Sequence, residues 1–369
     1  MYDYLIVGSG LYGAICARLL TDAGKKVWVV ERRSHIGGNV YTEEQDGITI
    51  HKYGAHIFHC SNQAIWDFVN RFATFRPFIN RPVSIVRGKL YSLPFNMLTF
   101  NQIWGVTDPE EAQAIIERER LVLDREPANL EEQALSLVGT TIYELLIKSY
   151  TKKQWQKDPT ELPAWIIKRL PLRFTYDNNY FNDTYQGIPD GGYTRLIEGL
   201  LDGIRVDTSV DFLLHRSDLR SRARDVIYTG ALDEFFDYDL GILEYRGLRF
   251  EHDVFPSQNV LGNAVVNYGD EEVAYTRRIE HRHFSPTRSD ISVVTREYPA
   301  NWRPGDIPFY PINSQENEAL HKQYLDRFLA QEGYQCGGRL ADYRYYDMHQ
   351  VVGSAMHFFN KNAMNNFIE

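Results

Sequence analysis

The chain has 369 residues, 43% of them hydrophobic and 24% charged, which is ordinary for a folded protein and too long for a single compact core. The net charge of −9 argues against nonspecific nucleic-acid binding, and three scattered cysteines argue against both a disulfide framework and a zinc site. No apolar run is long enough to span a bilayer, and Asp3 stands where a signal peptide would carry a basic residue. We therefore expect a cytoplasmic protein of two or three domains, with no nucleic-acid partner and no membrane span.

The N-terminal residues follow a strand, glycine turn, helix, strand pattern that ends on an acid. In the glycine turn, Gly8 allows the chain to leave the first strand sharply, Gly10 lets the backbone approach phosphates, and Gly13 permits close helix–sheet packing. Glu31 lies 18 positions after Gly13, near the spacing of ~20 for an acid that binds a ribose. The pattern predicts a dinucleotide site, and the acid argues against a 2′-phosphate.

A second glycine motif decides which dinucleotide is expected. Gly37 and Gly38 follow closely after Glu31, an arrangement typical of FAD-dependent enzymes of the glutathione-reductase and amine-oxidase type. An apolar strand pattern that ends at Gly230 is a further feature of that superfamily. We therefore predict FAD as the cofactor rather than NAD.

The periodicity of the remaining chain predicts three structural units. Helical patterns follow Asp108 and Asn129, which are typical helix-capping residues, and alternating patterns elsewhere indicate an antiparallel sheet. The predicted fold class is α/β: a discontinuous Rossmann-like FAD-binding domain with an inserted helical domain and an antiparallel β-sheet domain. The predicted ranges are 1–80, 190–241 and 314–369 for the FAD-binding domain, 101–189 for the helical domain with a mobile substrate loop at 164–176, and 81–100 with 242–313 for the sheet domain.

Six segments together carry a family resemblance. They are YGAHIFH at residues 53–59, YTKKQW at 150–155, YDNNYF at 176–181, PDGGY at 189–193, YTR at 275–277 and GRLADYRYYDM at 338–348. In order and spacing they resemble the bacterial UDP-galactopyranose mutases almost from end to end. The resemblance implies an isomerase that interconverts UDP-galactopyranose and UDP-galactofuranose, acts as a homodimer and supplies a cell-surface polysaccharide.

The resemblance also implies a mechanism in which the cofactor is the nucleophile. A sugar ring cannot open while its anomeric carbon carries UDP, and a carboxylate nucleophile would have no lone pair left to expel the ring oxygen. The implied sequence is attack by N5 of reduced flavin, loss of UDP, ring opening, closure through another hydroxyl and return of UDP. No net redox change occurs, yet the flavin must be reduced, so an unidentified reductant is implied.

The family match assigns residues to the substrate. Arg169 and Arg277 are expected to bind the pyrophosphate and stabilise its developing charge, with Arg169 on a closing lid, and His59 is expected to shape the flavin face. These three form the implied catalytic set. The implied substrate-binding set is Asn80, Tyr150, Thr151, Trp155, Arg169, Tyr180, Arg246, Asn267, Arg277, Tyr310 and Tyr345.

Further residues are assigned to the cofactor. The implied FAD-binding set is Gly8, Gly10, Tyr12, Gly13, Glu31, Gly38, Asn39, His56, Ile57, Val210, Arg339, Tyr346, Asp347, Met348 and Val351. His56 and His59 lie three apart, but no carboxylate or cysteine pattern supports a metal, so none is predicted. Cys60 departs from the threonine that the family leads us to expect, which puts local contacts in question.

Two other functions remain open at this stage. The first is an FAD-dependent oxidoreductase of the amine-oxidase type, which would share the cofactor domain but transfer a hydride. The second is a non-catalytic protein that binds UDP-sugars or senses redox state. Arg169 and Arg277 argue against the first, because a neutral or cationic amine substrate would not need two guanidinium groups.

Overall fold

The structure is a computed structural model that describes residues 1–167 and 172–365, with side chains up to residue 361. The strands of this part of the chain are β1 (Tyr2–Val7), β2 (Val27–Glu31), β3 (Thr42–Gln45), β4 (Ile48–His51), β5 (Phe58–Cys60), β6 (Phe75–Pro77), β7 (Val83–Val86), β8 (Lys89–Ser92), β9 (Tyr185–Pro189), β10 (Arg205–Thr208), β11 (Ala223–Tyr228), β12 (Tyr245–Phe255), β13 (Val265–Tyr268), β14 (Arg277–Glu280), β15 (Ser292–Asn301), β16 (Tyr310–Pro311) and β17 (Tyr334–Cys336).

The α-helices surround these strands. They are α1 (Leu11–Asp22), α2 (Gln63–Asn70), α3 (Met97–Trp104), α4 (Pro109–Glu119), α5 (Leu130–Ile142), α6 (Lys148–Trp155), α7 (Tyr193–Leu201), α8 (Arg216–Ser221), α9 (Leu232–Phe235), α10 (Gln315–Leu329) and α11 (Met348–Asn365). No helix in the described ranges combines the length and the apolar character that a bilayer span requires.

A five-stranded parallel sheet with the order β10-β2-β1-β11-β17 forms the Rossmann-like unit. Its central strands are apolar on both faces because helices cover both faces. Ile6 and Val29 pack in one core with α1 and α7, whereas Leu5 and Trp28 pack in a second core with α10. The predicted strand–turn–helix–strand opening is therefore present.

A helical unit packs around its own core. α4 begins at Asp108, whose Oδ1 accepts the Glu110 N–H at 2.8 Å, and α5 begins at Asn129, whose Oδ1 accepts the Glu132 N–H at 3.0 Å. Both caps were predicted from the sequence. Within α5 the backbone bends at Gly139, where φ is 78°, and a π-helical turn over Tyr143–Ile147 leads into α6. This bend turns α6 toward the second sheet.

That second sheet has seven strands in the order β16-β12-β15-β14-β13-β7-β8. It is antiparallel, as predicted, except that β13 and β7 run parallel. The β7–β8 hairpin turns through Arg87 and Gly88, whose φ values of 51° and 71° suit a type I′ turn. Because β7 joins β13, two distant stretches of chain complete one sheet, and the α/β fold class with its separate Rossmann-like and antiparallel units is confirmed.

A three-stranded sheet, β5-β9-β6, lies beside the Rossmann-like unit. Its register places His59 opposite Gln186, so the residues just before β9 approach His59. The predicted loop at 164–176 begins with a 3₁₀ turn at Ala164–Ile167. Residues 168–171, and with them Arg169, lie outside the described residues.

Candidate active site

The two glycine motifs meet backbone to backbone at the N-terminus of α1. A Cβ on Gly38 would lie 3.1 Å from the Gly10 Cα, and a Cβ on Gly13 would lie 2.0 Å from the Gly8 carbonyl oxygen. Gly10 is the N-cap of α1, and no side chain caps this helix end. The first N–H groups of α1 and the positive end of its dipole therefore face a cradle without side chains, which suits a pyrophosphate.

Glu31 is buried at the end of β2, where it ties two loops together. Its Oε2 accepts hydrogen bonds from the N–H and the hydroxyl of Ser9, both at 2.8 Å, and its Oε1 accepts the Arg33 N–H at 2.9 Å. The Val210 N–H donates to the Glu31 carbonyl at 2.9 Å, so Val210 lies directly beside the acid. Two residues of the predicted FAD-binding set are thus neighbours.

Two arginines bring positive charge to this region. Arg33 donates to Asn39 Oδ1 at 2.9 Å, and its buried Nη1 has no hydrogen-bond partner among the described residues. Arg339 donates to the Phe309 carbonyl at 2.7 Å, and burial lowers its pKa, an effect to which Arg33 adds. Sequence reasoning missed Arg33, although its place two residues after the acid could have signalled an anion-binding role.

His56 is a neutral histidine in the segment predicted to contact the flavin. Its Nδ1 donates to the Gly54 carbonyl at 2.8 Å, and its backbone N–H donates to His51 Nδ1 at 3.1 Å. Burial lowers the pKa of His56 to about 4. The ring therefore stays uncharged at neutral pH, while Ile57 beside it is buried in the core of the Rossmann-like unit.

His59 is held in one orientation by contacts on two sides. Its Nδ1 lies 2.6 Å from Asp183 Oδ2, and its ring stacks on Phe181 with 3.7 Å between centroids. Because a carboxylate only accepts, Nδ1 carries a proton, and in the neutral ring Nε2 is the acceptor. Asp183 is fixed in turn by the Ser61 hydroxyl, which donates to Oδ1 at 2.7 Å. Sequence reasoning missed Asp183, which follows the YDNNYF segment by two residues.

One group of side chains in the described part of the chain could hold a metal ion. His59, Asp347 and His349 each offer a ligand atom, and these atoms all lie within 4.8 Å of one another. Two histidines and a carboxylate suit a transition metal. The group borders the flavin-binding segments implied by the family, whereas the sequence predicted no metal.

Arg277 is the charged centre of the predicted substrate site. Its Nη2 donates to the Tyr150 hydroxyl at 3.3 Å, and its Nε lies 3.2 Å from Oε1 of Glu297, its cross-strand neighbour on β15. Burial lowers the pKa of Arg277, but Glu297, Tyr150 and Tyr310 together raise it by more, so the net pKa is well above its usual range. Sequence reasoning missed Glu297, which is almost wholly buried, with a pKa raised by that burial.

Several predicted substrate residues gather around Arg277. Asn267 lies opposite it on β13, and Thr151 is buried on α6 beside Tyr150. The rings of Tyr310 and Tyr345 approach to 5.7 Å between centroids. The structure thus brings α6, the second sheet and the chain before α11 together at one place.

Two predicted substrate residues of the second sheet carry buried polar atoms without partners in the described part of the chain. Arg246 is buried, and burial lowers its pKa; its Nη1 donates to Asn301 Oδ1 at 3.1 Å, while its Nε and Nη2 find no partner in the described ranges. The buried Oδ1 of Asn267 is likewise unpaired there. Such groups cost free energy unless a ligand or water satisfies them.

The remaining predicted residues lie at the edges of these groups. The buried Asn80 accepts the Tyr180 N–H through its carbonyl at 2.9 Å, whereas Tyr180 itself is 42% exposed. Trp155 packs on the helical core. Tyr346 donates to Asp342 at 2.9 Å, and Met348 packs beside the buried Val351.

The side chain of Tyr12 points away from the cradle. It is buried under Gly337 and Gly338, where a Cβ on Gly337 would lie 2.1 Å from the Tyr12 hydroxyl. Any contact of Tyr12 with a cofactor would therefore come from its backbone. Val351 is likewise a core residue, buried among the apolar side chains of the Rossmann-like unit.

The parallel sheet and the glycine cradle are typical of dinucleotide-binding proteins, and the family model described as "NAD(P)-binding Rossmann-like domain" matches residues 6–72. The model described as "UDP-galactopyranose mutase" matches residues 145–345. The chain is also 42% identical over 360 residues to the "Probable UDP-galactopyranose mutase" of Klebsiella pneumoniae, across 96% of this chain and 93% of that protein. It belongs to the UDP-galactopyranose mutase family and is an isomerase, as the sequence predicted.

Other relatives agree with the assignment of the chain to this family. The dTDP-fucopyranose mutase of Escherichia coli is 38% identical over 365 residues, across 96% of this chain and 97% of that protein. A crystal structure of reduced UDP-galactopyranose mutase superposes with a TM-score of 0.75 at 14% identity, across 98% of this chain and 93% of that one, and shows the same fold. Flavin-containing amine oxidases match over 29% of the chain. Family and relatives together imply a flavin.

Proposed function

We propose that this protein interconverts UDP-galactopyranose and UDP-galactofuranose with reduced FAD. The observation that carries the proposal is Arg277, a guanidinium whose Nε lies 3.2 Å from the buried Glu297 carboxylate and whose Nη2 donates to the Tyr150 hydroxyl. A guanidinium group suits a diphosphate better than a neutral sugar or an amine. Family membership supports the sugar and the reaction type.

The residues present fit FAD. The glycine cradle leaves room for the pyrophosphate, the uncapped α1 N-terminus and the unpaired Arg33 Nη1 favour negative charge, and Glu31 stands at the ribose end. When bound and reduced, the flavin would supply the nucleophilic nitrogen that displaces UDP from the anomeric carbon. We assign its binding to Gly8, Gly10, Tyr12, Gly13, Glu31, Gly38, Asn39, His56, Ile57, Val210, Arg339, Tyr346, Asp347, Met348 and Val351, and add Arg33.

The protein side chains would bind the substrate and carry charge. We assign Arg277, with Arg169, to the diphosphate, where both would stabilise the negative charge on departing UDP. Tyr150, Thr151, Trp155 and Tyr180 are assigned to the uridine, and Asn80, Arg246, Asn267, Tyr310 and Tyr345 to the remaining polar contacts. The Nδ1–H of His59 donates to Asp183, so the neutral ring would present Nε2 as a proton acceptor toward the reacting centre.

A chromatographic assay tests the proposal. Purified protein is incubated with UDP-galactofuranose, with and without dithionite, and the appearance of UDP-galactopyranose is followed. Conversion that needs the reductant without consuming it in proportion to product is the expected result. Yellow protein that converts nothing in either state contradicts the proposal, and net oxidation of an amine would support the oxidoreductase alternative, whose relatives cover only the smaller share of the chain.

A second substrate deserves the same assay because the dTDP-fucopyranose mutase is nearly as similar in sequence as the first relative, at 38% against 42% identity. Fucose lacks the C6 hydroxyl of galactose, and thymidine differs from uridine at the base and the ribose. Competition between the two sugar nucleotides would rank them by kcat/KM. Faster turnover of dTDP-fucopyranose would move the proposal to that substrate.

We further propose the cytoplasmic homodimer and the surface-polysaccharide role that the family resemblance implies, with the three-domain division given above. The pairing of β7 with β13 supports placing residues 81–100 with the second sheet. Light scattering on the purified protein tests the dimer. Loss of galactofuranose from the cell surface in a deletion strain tests the role.

A further inference from the structure

Lys153 lies on α6 and uses its whole ammonium group on backbone carbonyls. Its Nζ donates to the carbonyls of Tyr268 at 2.6 Å, Asp270 at 2.9 Å and Val273 at 3.0 Å. An ammonium has three N–H donors, so each donor has one acceptor. All three acceptors belong to a single segment, residues 268–273, which we call the acceptor turn.

The acceptor turn connects two strands that carry predicted substrate residues. β13 before it carries Asn267, and β14 after it begins with Arg277. Lys153 lies three residues after Tyr150 on α6, close to one helical turn, so the same helix carries both the lysine and the residue that contacts Arg277. Lys153 therefore connects the helix assigned to uridine with the strands assigned to the diphosphate.

Other contacts at this junction are weaker or lie outside it. The Arg277–Tyr150 hydrogen bond is long, at 3.3 Å, and no side chain caps the N-terminus of α6. On its far side the acceptor turn is anchored, because the Asp270 carboxylate accepts the Arg87 N–H at 2.9 Å from the β7–β8 hairpin. The acceptor turn is therefore held by the β7–β8 hairpin on one side and by Lys153 of α6 on the other.

The neighbouring lysine gives a natural comparison. Lys152 is 51% exposed, and its Nζ lies 3.7 Å from Glu271, the geometry of a surface ion pair that contributes little. Both lysines lie on α6 and carry a positive charge, but Lys153 binds three backbone carbonyls, whereas Lys152 forms an exposed ion pair. Substituting each lysine in turn separates the effect of losing the contacts with three carbonyls from the effect of losing a positive charge.

We infer that Lys153 is a positioning residue, which clamps α6 to the acceptor turn and so holds the uridine-binding helix at the correct distance from Arg277. The inference rests on the proposed function, because it assigns α6 and Arg277 to the two ends of UDP. Lys153 itself touches neither the assigned substrate residues nor the cofactor cradle; it acts through the helix.

Titration of Lys153 adds a pH dependence. Burial lowers its pKa to about 8, opposed by Asp270, Glu271 and Glu272 of the acceptor turn, while Lys152 on α6 lies 3.7 Å from Glu271. Below pH 8 the ammonium satisfies three carbonyls. Above it the neutral amine keeps two N–H donors and loses its charge, so the clamp weakens and UDP should bind less tightly.

The first test compares UDP binding to the flavin-loaded Lys153→Met and Lys152→Met variants by titration calorimetry. For Lys153→Met we expect Kd for UDP and KM for the sugar nucleotide to rise about tenfold, because a charge-assisted contact is lost, with kcat within about threefold. Flavin content should be unchanged. Lys152→Met should match the parent protein, and parent-like UDP binding by folded Lys153→Met would overturn the inference.

The second test keeps the inference decidable if Lys153→Met does not fold. UDP affinity is measured from pH 7 to pH 9.5 for the parent and for Lys153→Arg, whose guanidinium stays protonated throughout. The parent should lose affinity above about pH 8, as the lowered pKa of Lys153 requires. An equal alkaline loss in both proteins would overturn the inference.

A third measurement separates this inference from the proposed function. If the parent protein does not bind UDP, the proposed function fails, and the clamp is then judged by hydrogen–deuterium exchange. Faster exchange over residues 148–155 and 268–273 in Lys153→Met than in Lys152→Met supports the clamp. Equal exchange in the two variants rejects it.

Discussion

At the scale of single residues, the site depends on pairs of side chains in which a carboxylate faces a basic group. Arg277 keeps its charge because Glu297 is buried opposite it, and His59 keeps one tautomer because Asp183 accepts from Nδ1. Removing one partner of such a pair leaves the other buried and uncompensated, which costs more than the pair contributes. The consequences differ for the two pairs, since one binds charge and the other orients a proton acceptor.

Replacing Arg277 should remove nearly all turnover and leave cofactor binding unchanged. We expect Arg277→Ala to retain its flavin and to lose roughly 10²- to 10³-fold in kcat/KM, because a preorganised cation facing the leaving group is gone. The neighbouring Arg278 points to the other side of β14, near the Phe255 ring at 5.9 Å, so Arg278→Ala is the matched control. Near-normal turnover by Arg277→Ala would remove its assigned role.

The orientation of His59 is tested through Asp183. An asparagine at this position can donate to Nδ1 and so favour the opposite tautomer, which takes the acceptor lone pair away from Nε2. For Asp183→Asn we expect roughly 10²-fold lower kcat with flavin still bound, within the range that a positioned proton carrier contributes. Ser61→Ala, which removes only the second contact to Asp183, should be mild. Equal losses in both variants would point to a general loosening of the loop instead.

At the scale of elements, the junctions between strands and helices decide what is buried. The N-terminus of α1 is kept open by glycine, and the junction of β4 with the second sheet is filled by histidines. The backbone N–H of His51 donates to His281 Nδ1 at 3.2 Å, and His281 Nε2 donates to Thr295 at 2.6 Å. The N-terminus of α1 is suited to binding a ligand, whereas the histidine-filled junction contributes to the stability of the fold.

Filling the cradle should remove the cofactor and spare the fold. A Cβ on Gly10 would meet only the Gly38 Cα at 3.9 Å, which is ordinary contact, and the φ of Gly10 is −64°, which alanine adopts readily. Gly10→Ala should therefore unfold at the same denaturant concentration as the apoprotein while showing weaker flavin absorbance. Gly353→Ala in α11, with a 3.4 Å contact to Ile65, serves as the control. Full flavin content in Gly10→Ala would contradict the cradle assignment.

The buried histidines predict that acid destabilises the protein. Burial lowers the pKa of His56 to about 4 and that of His281 to about 3, against about 6.5 in the unfolded chain. Between these pH values the two histidines bind protons in the unfolded state but stay neutral in the folded state. The free energy of unfolding therefore falls as pH drops below about 6.5, by up to ~1.4 kcal/mol per pH unit for each histidine.

Urea denaturation at pH 7.0, 6.0 and 5.0 measures this loss. His281→Gln should show a shallower decrease than the parent over the same pH range, because one of the depressed groups is absent. A parent protein whose stability is unchanged from pH 7.0 to pH 5.0 would contradict the assignment of neutral buried histidines.

At the scale of the whole molecule, the candidate site is assembled from segments that are remote in the chain. Residues of α6, of β13 and β14, and of the chain before α11 meet around Arg277, and β7 pairs with β13 across more than 180 residues. If FAD occupies the cradle, loss of the cofactor should lower the thermal unfolding midpoint, because only the folded state presents both glycine motifs together. Calorimetry of holo- and apoprotein at equal concentration tests this; equal midpoints would argue that the cradle does not bind FAD.

Local chemistry alone determined much of this protein. The opening strand–turn–helix–strand unit and the caps at Asp108 and Asn129 follow from short-range patterns, because each depends on a few neighbouring residues. The family could also be predicted, since its six segments occur in order along the chain. These features need no knowledge of which distant residues touch.

Only the tertiary structure decided the partners. Glu297 and Asp183 carry no local signal that distinguishes them from other charged residues, and each acquires its role from a neighbour far away in sequence or across a sheet. The burial of Tyr12 and the three carbonyls that Lys153 grips were equally unreadable. The physical reason is that burial and pairing of charges are properties of the packed chain, in which desolvation and distance set their energies.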